Sequence, residues 1–189
     1  MSWSPMAPQG HEVRKTRWRA LPYLRGKVLD LGCGPEKIID NKDCIGVDSC
    51  KDVELFGIQM NPDIKFDVTK IGELFAVGSV DAVFSSHVLE HIEYAQVSAV
   101  LREWMRVIKT DGFLVLYLPD EDQYPKCAEP ERGIYLGENG VNLDHKWNVN
   151  YDRVVDAAQK NGYNWDLAHF EKCATDDEYS LFFAFRKLK

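Results

Sequence analysis

Apolar positions along the chain fall into short runs closed by turn residues, the pattern expected of buried parallel strands. Such runs predict strands at Val28–Leu31, at Ile45-Gly46-Val47, at Val80–Ser85 and at Phe113–Leu118, with a further strand over Lys65–Val68 after Asn61-Pro62. A short helix is expected near Ile71–Phe75. Between Glu93 and Lys109 the pattern changes period: Val97, Val100, Leu101, Trp104, Met105 and Ile108 recur at helical spacing, and Asp111-Gly112 closes this amphipathic helix. A last helix is predicted over Asn150–Lys160, ended by Asn161-Gly162. The final strands, Asp166–Glu171 and Ser180–Arg186, read as a hairpin joined through Ala174–Glu178.

Strands alternating with helices, followed by a strand pair, predict an α/β fold. The expected architecture is a Rossmann-like, mostly parallel seven-stranded sheet with helices on both faces and an antiparallel C-terminal strand pair. No internal repeat or linker divides the 189 residues, so a single domain over 1–189 is expected. Met1–Gly10, with Pro5, Pro8 and Gly10, reads as a loose arm. His11–Leu24 reads as a basic helix limited by Pro22, with Trp18 and Leu21 on one face; residues 1–26 thus form an N-terminal arm or cap. That cap either covers a ligand mouth or packs on the sheet edge. Only Pro35–Asp43 follows the first strand's glycine turn, room for at most two helical turns. Residues 119–149 break the rhythm with prolines, glycines and charges, as functional loops do.

Charge and cysteine usage narrow the classes. A net charge of −7 argues against a large nucleic-acid interface, although Arg14, Lys15, Arg17, Arg19 and Arg25 gather in one segment. Cys33, Cys44, Cys50, Cys127 and Cys173 are odd in number and contain no C-x-x-C pair, which fits a reduced, cytoplasmic setting without structural zinc. No apolar run is long enough for a membrane span.

The candidate chemistry sits where parallel strands end. Gly32-Cys33-Gly34 lets the backbone turn tightly and approach a ligand closely, and Cys33 reads as a small residue in that turn. Asp48, fourteen residues beyond Gly34 and just past the second strand, suits a vicinal ribose diol that offers two hydroxyl donors. Asp30–Pro35, Asp48, Asp67, Ser85–His87 and Asp120 all fall at carboxyl ends of strands.

In order, Val28-Leu29-Asp30-Leu31-Gly32-Cys33-Gly34-Pro35, Gly46-Val47-Asp48, Phe66-Asp67-Val68, Asp81 through Ile92 and Glu103 through Leu114 resemble the motif series of class I S-adenosylmethionine-dependent methyltransferases, nearest the type 11 and type 23 groups. The resemblance implies S-adenosylmethionine as cofactor. It implies Gly32, Cys33 and Gly34 at its methionine end, with Asp30 helping to hold the amino group. It further implies Asp48 on the ribose hydroxyls, Asp67 and the Val68 backbone at the adenine, the Ser85 carbonyl nearby, and His87 bordering the reaction centre. Asp67 could equally be an ordinary turn residue. Lys37 stands where the third glycine of a nicotinamide-binding G-x-G-x-x-G would be, which weakens an oxidoreductase reading. A catalytically silent cofactor-binding module is the other alternative.

Methyl transfer to oxygen requires alignment, exclusion of water and removal of a proton. Candidate catalytic residues are His145, His87 and Asp120, with Glu90-His91 either catalytic or structural. His145 lies in Asp144-His145-Lys146-Trp147, which resembles a segment of methyltransferases found with polysaccharide biosynthesis. Asp120, Glu121 and Asp122, with Asp144 and His145, either bind a divalent metal or form a solvated face; the second reading is preferred and no metal is expected. Tyr124, Tyr135 and Trp147 either stack on a sugar or form a small core under the loop. No Asn/Asp-Pro-Pro-aromatic run follows the fourth strand, which disfavours base methylation. The expected partner is a small-molecule or sugar-bearing acceptor, methylated on oxygen, with residues 119–149 on its side of the site.

Overall fold

Val28–Leu31 (β1) is buried at every position, as a strand covered on both faces must be. The computed structural model describes residues 12–50, 60–123, 145–175 and 178–189. Around β1 lie Cys44–Asp48 (β2), Ile64–Lys65 (β3), Val80–Ser86 (β4), Ile108–Pro119 (β5), Trp165–Thr175 (β6) and Glu178–Lys187 (β7). They form one seven-stranded sheet in the order β3-β2-β1-β4-β5-β7-β6. The first five are parallel, and β7 runs antiparallel to both β5 and β6. The chain steps from β1 outward to β3 and then returns to place β4 on the other side of β1. This reversal opens a crevice at the carboxyl ends of β1 and β4, where ligands of such sheets bind.

One face of the sheet is covered by two helices. Tyr94–Val107 (α2) buries Val97, Val100, Leu101, Trp104 and Met105, the apolar stripe read from the sequence. Tyr151–Gln159 (α3) adds Val154, Ala157 and Ala158, and Asn150 caps its start by accepting from Arg153 N. Lys187 reaches across to donate to the Met105 and Ile108 carbonyls at the end of α2, where a cation meets the negative end of the helix dipole. The helix therefore stops at Val107 and passes directly into β5. Asp111-Gly112 does not close it. Those residues lie in a wide bulge, Lys109–Gly112, opposite Asp81, with Asp111 at φ +64°.

The other face differs from expectation in an instructive way. Residues 32–43, between β1 and β2, contain no helix. The apolar surface a crossover helix would cover is filled by Ile38, fully buried, and by Glu12–Ala20 (α1), which contributes Val13 and Ala20 to the same cluster as Val28, Phe84, Tyr117 and Phe182. Trp18 and Leu21 are exposed, so the predicted apolar face of this helix was the wrong one. The helix packs its apolar residues on the face of the sheet. A single turn of tighter helix, Leu21–Tyr23, carries Pro22.

Ionic contacts fix α1 at both ends. Arg17 donates to the Ile38 and Lys37 carbonyls and to Glu36, clasping the loop. Arg19 bridges Glu171 on β6 and Glu178 on β7, and Tyr117 also donates to Glu178. Arg14 and Lys15 pair with Glu36 and Glu12. The basic segment is thus largely spent on internal pairing. At the far edge, β3 is shorter than the expected Lys65–Val68; Asp67 caps a tight helical segment, Val68–Glu73, instead. No helix among the described residues is long and apolar enough to cross a membrane.

Because Ile38 plugs the face that lacks a crossover helix, Ile38→Ala should cost about 2–4 kcal/mol of stability by leaving a cavity there. Trp18→Ala should cost under ~1 kcal/mol, limited to an exposed contact with Arg19. Urea melts of the two variants check both values.

Candidate active site

The turn after β1 carries the first half of the site. Gly32 (φ +74°) and Gly34 (φ +58°) adopt the left-handed conformation that favours glycine. A side chain on Gly32 would overlap Val88, whereas the space in front of Gly34 is open. Asp48, at the end of β2, accepts from Gly34 N at 3.0 Å and from Cys50 N at 2.7 Å, one bond on each oxygen. A carboxylate offers about four acceptor positions, so each oxygen keeps capacity for a hydroxyl donor. Phe66 N donates to Asp48 O and brings Asp67 alongside. Asp67 caps the following segment, accepting from Thr69 N and Thr69 Oγ1 on one oxygen. Val68 is buried and its carbonyl accepts from Trp104 Nε1. Ser85 is fully buried and its hydroxyl donates to Leu31 O, joining β4 to β1.

Asp30 and Cys33 lie beneath this turn. Asp30 is buried and accepts from Ile38 N at 2.6 Å, which pins the helix-free loop. Burial pushes its carboxyl up to about 7, outweighing the Ile38 bond, with the charge of Asp48 adding to the rise. Burial, together with Asp30 and Asp48, raises the Cys33 thiol far above its ordinary value, so it stays protonated rather than nucleophilic. Lys37 lies across β2 at Gly46 and joins Cys44 O to Asp63. Its side chain occupies the space that a third glycine would have left open.

The second half lies beyond β4. His87 has φ +52°, a strained backbone for a residue with a Cβ, and its N–H donates to Tyr117 O. Its Nδ1 is 3.1 Å from Glu90 Oε1 and its Nε2 is 3.5 Å from Ser180 Oγ. Leu89–His91 forms one tight turn against which residues 145–149 dock: Lys146 N donates to Glu90 O at 2.7 Å, and Trp147 Nε1 donates to Leu89 O at 2.8 Å. The docking places the buried His145 ring 5.2 Å from that of His91. His145 Nδ1 pairs with the fully buried carboxylate of Glu121, whose own N–H donates to Val149 O. Burial would raise the Glu90 carboxyl, but the imidazoles of His87, His91 and His145 outweigh it and hold the group well below the usual carboxylate range.

Asp120, one of the candidate bases, accepts from Asp122 N and pairs with Lys172 on β6 at 2.7 Å. Its neighbour Glu121 is the residue that meets His145. Of the two readings of Trp147 the structure shows the core one: it is buried against Tyr94. Asp144, Tyr124, Tyr135 and Cys127 lie outside the described residues.

Residues 29–116 match the family described as "Methyltransferase domain". No curated protein sequence matches the chain. Among solved structures, the chain is similar to a protein from Pyrococcus horikoshii OT3, with 21% identity, 98% of this chain and 94% of that chain covered, and a TM-score of 0.64. It is similar to a SAM-dependent methyltransferase from Archaeoglobus fulgidus, with 18% identity, 93% and 94% covered, and a TM-score of 0.60. A third likeness is to magnesium protoporphyrin IX methyltransferase from Synechocystis PCC 6803, solved with bound SAM, with 19% identity, 94% and 79% covered, and a TM-score of 0.58. At these identities the structural likeness is one of fold. Residues 29–116 are thus similar to a methyltransferase domain, and over nearly its whole length the chain shares the fold of these structures, one of which was solved with bound SAM. The open space before Gly34 and the spare acceptor capacity of Asp48 fit a ligand carrying a ribose diol.

The raised carboxyl of Asp30 has a stability consequence. Between its ordinary value of 3.8 and about 7, the folded chain keeps a proton that the unfolded chain has released. Stability contributed by this group therefore falls as pH rises through that window and is level above it, by up to about 4 kcal/mol. Asp30→Asn, which keeps an acceptor for Ile38 N, should remove this component and gain stability at pH 8 relative to pH 4. Denaturant melts across pH 4–8 measure the difference.

Proposed function

We propose that the protein transfers a methyl group to a hydroxyl oxygen of a small-molecule or sugar-bearing acceptor. The observation that carries this reading is the buried Glu121–His145 pair held against the Glu90-His91 turn. With Nδ1 donating to a carboxylate, a neutral imidazole carries its lone pair on Nε2, the form needed to activate a hydroxyl. A hydroxyl must lose its proton during methylation, so an oriented imidazole is more useful to an oxygen acceptor than to a neutral thioether or an activated carbon.

When bound, S-adenosylmethionine supplies a sulfonium methyl group for in-line displacement. Gly32, Cys33 and Gly34 receive its methionine end with Asp30 beneath them, Asp48 accepts the ribose hydroxyls, and Asp67 with the Val68 backbone borders the adenine. Ser85 lends its carbonyl near the crevice. His87, fixed through its backbone and both ring nitrogens, walls the reaction centre. His145 activates the acceptor oxygen; residues 124–144 of the expected acceptor-side segment lie outside the described residues. Asp120 supports this wall through Lys172 and does not take the proton. The acidic net charge and the Ser85-Ser86-His87 sequence at the end of β4 favour a sugar-like acceptor over a nucleic-acid base.

Asp48→Ala should weaken cofactor binding by about 2–4 kcal/mol, roughly thirty-fold to several hundred-fold, measured by calorimetry. His145→Ala should slow turnover by about 100-fold or more while cofactor affinity stays within about twofold. Turnover is read by incubating the protein with methyl-labelled cofactor and pools of sugars, nucleotide sugars and small metabolites. Label on a carbohydrate oxygen supports the reading; label confined to nitrogen or to nucleic acid contradicts it.

A further inference from the structure

Glu90, His91 and His145 each present one donor atom, and these atoms all lie within 4.8 Å of one another. They come from segments more than fifty residues apart, joined by the Lys146 N–Glu90 O and Trp147 Nε1–Leu89 O bonds. The side chain of Glu90 is fully buried, and among the described residues neither of its oxygens makes a hydrogen bond, although His87 Nδ1 approaches Oε1 to 3.1 Å. The imidazoles of His87 and His91 approach this carboxylate to 3.1 and 4.0 Å, and a cation held by it and by neighbouring imidazoles would compensate its burial most directly. His145 adds a further sign, because its Nδ1 is held by the buried Glu121. Metal-ligating histidines characteristically donate their second nitrogen to a carboxylate, which fixes the ring and strengthens the ligand.

We infer that Glu90, His91 and His145 bind a divalent first-row transition-metal ion, with Glu121 orienting His145 from behind. Two imidazoles and a carboxylate, with no thiolate, suit Zn²⁺ or Mn²⁺. Three protein ligands leave coordination positions open, and oxygen donors of the acceptor, such as a vicinal diol, match them. The inference rests on the proposed reading of His145 as an acceptor-side group: with Nε2 committed to the ion, His145 would no longer take the proton itself, and the ion would instead acidify a bound acceptor hydroxyl, whose proton would leave to solvent. His91 is partly exposed, so it completes the site from the solvent side.

Protein stripped with a chelator and titrated with Zn²⁺ alone, and separately with Mn²⁺ alone, tests the site by calorimetry. Wild type is expected to bind one ion per chain. His91→Ala removes an exposed ligand without opening the core and should weaken binding by more than about 100-fold, and Glu121→Gln by about 10- to 100-fold, both with unchanged circular dichroism. Absence of binding by either ion, or wild-type affinity in His91→Ala, overturns the site. S-adenosylmethionine affinity measured on the stripped protein keeps the two readings apart. Cofactor binding without ion binding defeats the metal site alone, whereas ion binding without cofactor binding upholds the metal site and defeats the proposed transfer reaction.

Discussion

The close approach of Gly32 to Val88 is the contact on which the arrangement depends, because a side chain on Gly32 would occupy the position of Val88. It joins the turn after β1 to the turn after β4 across the point where the order of the sheet reverses. The first turn carries Gly34 and faces Asp48. The second begins with the strained His87 and leads to Glu90 and His91. A parallel sheet of this order brings the two turns together, and the missing Cβ lets them touch. The cofactor side and the acceptor side of the proposed reaction therefore share one seam.

Around that seam the protein buries several ionisable groups and compensates each from a different direction. Asp30 receives the Ile38 N–H and keeps a raised carboxyl, and in doing so holds the loop that replaces a crossover helix. Glu121 receives His145, and Glu90 faces three imidazoles. The stabilising energy comes from elsewhere: α2 and α3 on one face, and α1 with Ile38 on the other. The site can carry buried charge because the two faces are apolar and closed, and because Arg17 and Arg19 fasten α1 to the loop and to the terminal hairpin.

The parts of the fold governed by local periodicity were legible in the chain. The stripe from Val97 to Met105 predicted α2, and the apolar runs predicted β1, β2 and β4 with small errors at their ends; of β5 only the part from Phe113 on was predicted, whereas the strand begins at Ile108. The antiparallel pair was also legible, since alternation and turn residues set it. What failed to show depended on tertiary contacts. Trp18 looks like a core residue by type, but Val13, Thr16 and Ala20 are smaller and lie close to the sheet, so α1 buries their face and leaves Trp18 exposed. Asp111-Gly112 has the composition of a helix end, yet Lys187, seventy-odd positions later, ends the helix earlier.

The site divides in the same way. Gly32, Gly34 and Asp48 were readable because strand, turn and second strand end follow at fixed spacing along the chain. The acceptor side was only half readable. His145 stood out and Glu121 was grouped with it among the acidic residues, but nothing in the sequence singled out Glu121, which arrives from just beyond β5, as the one that pairs with it. The docking of Lys146 and Trp147 on the Leu89–Glu90 turn, which assembles the cluster, has no local signature in either segment.

The central claim is that the crevice beside Gly34 and Asp48 is built for S-adenosylmethionine. Thermal unfolding in the presence of S-adenosylmethionine, its demethylated product or NADH tests it most directly. The account predicts that each of the first two, at about 100 times its dissociation constant, raises the melting temperature by about 5 °C or more while NADH leaves it unchanged. Stabilisation by NADH, with none from S-adenosylmethionine or its product, would contradict it.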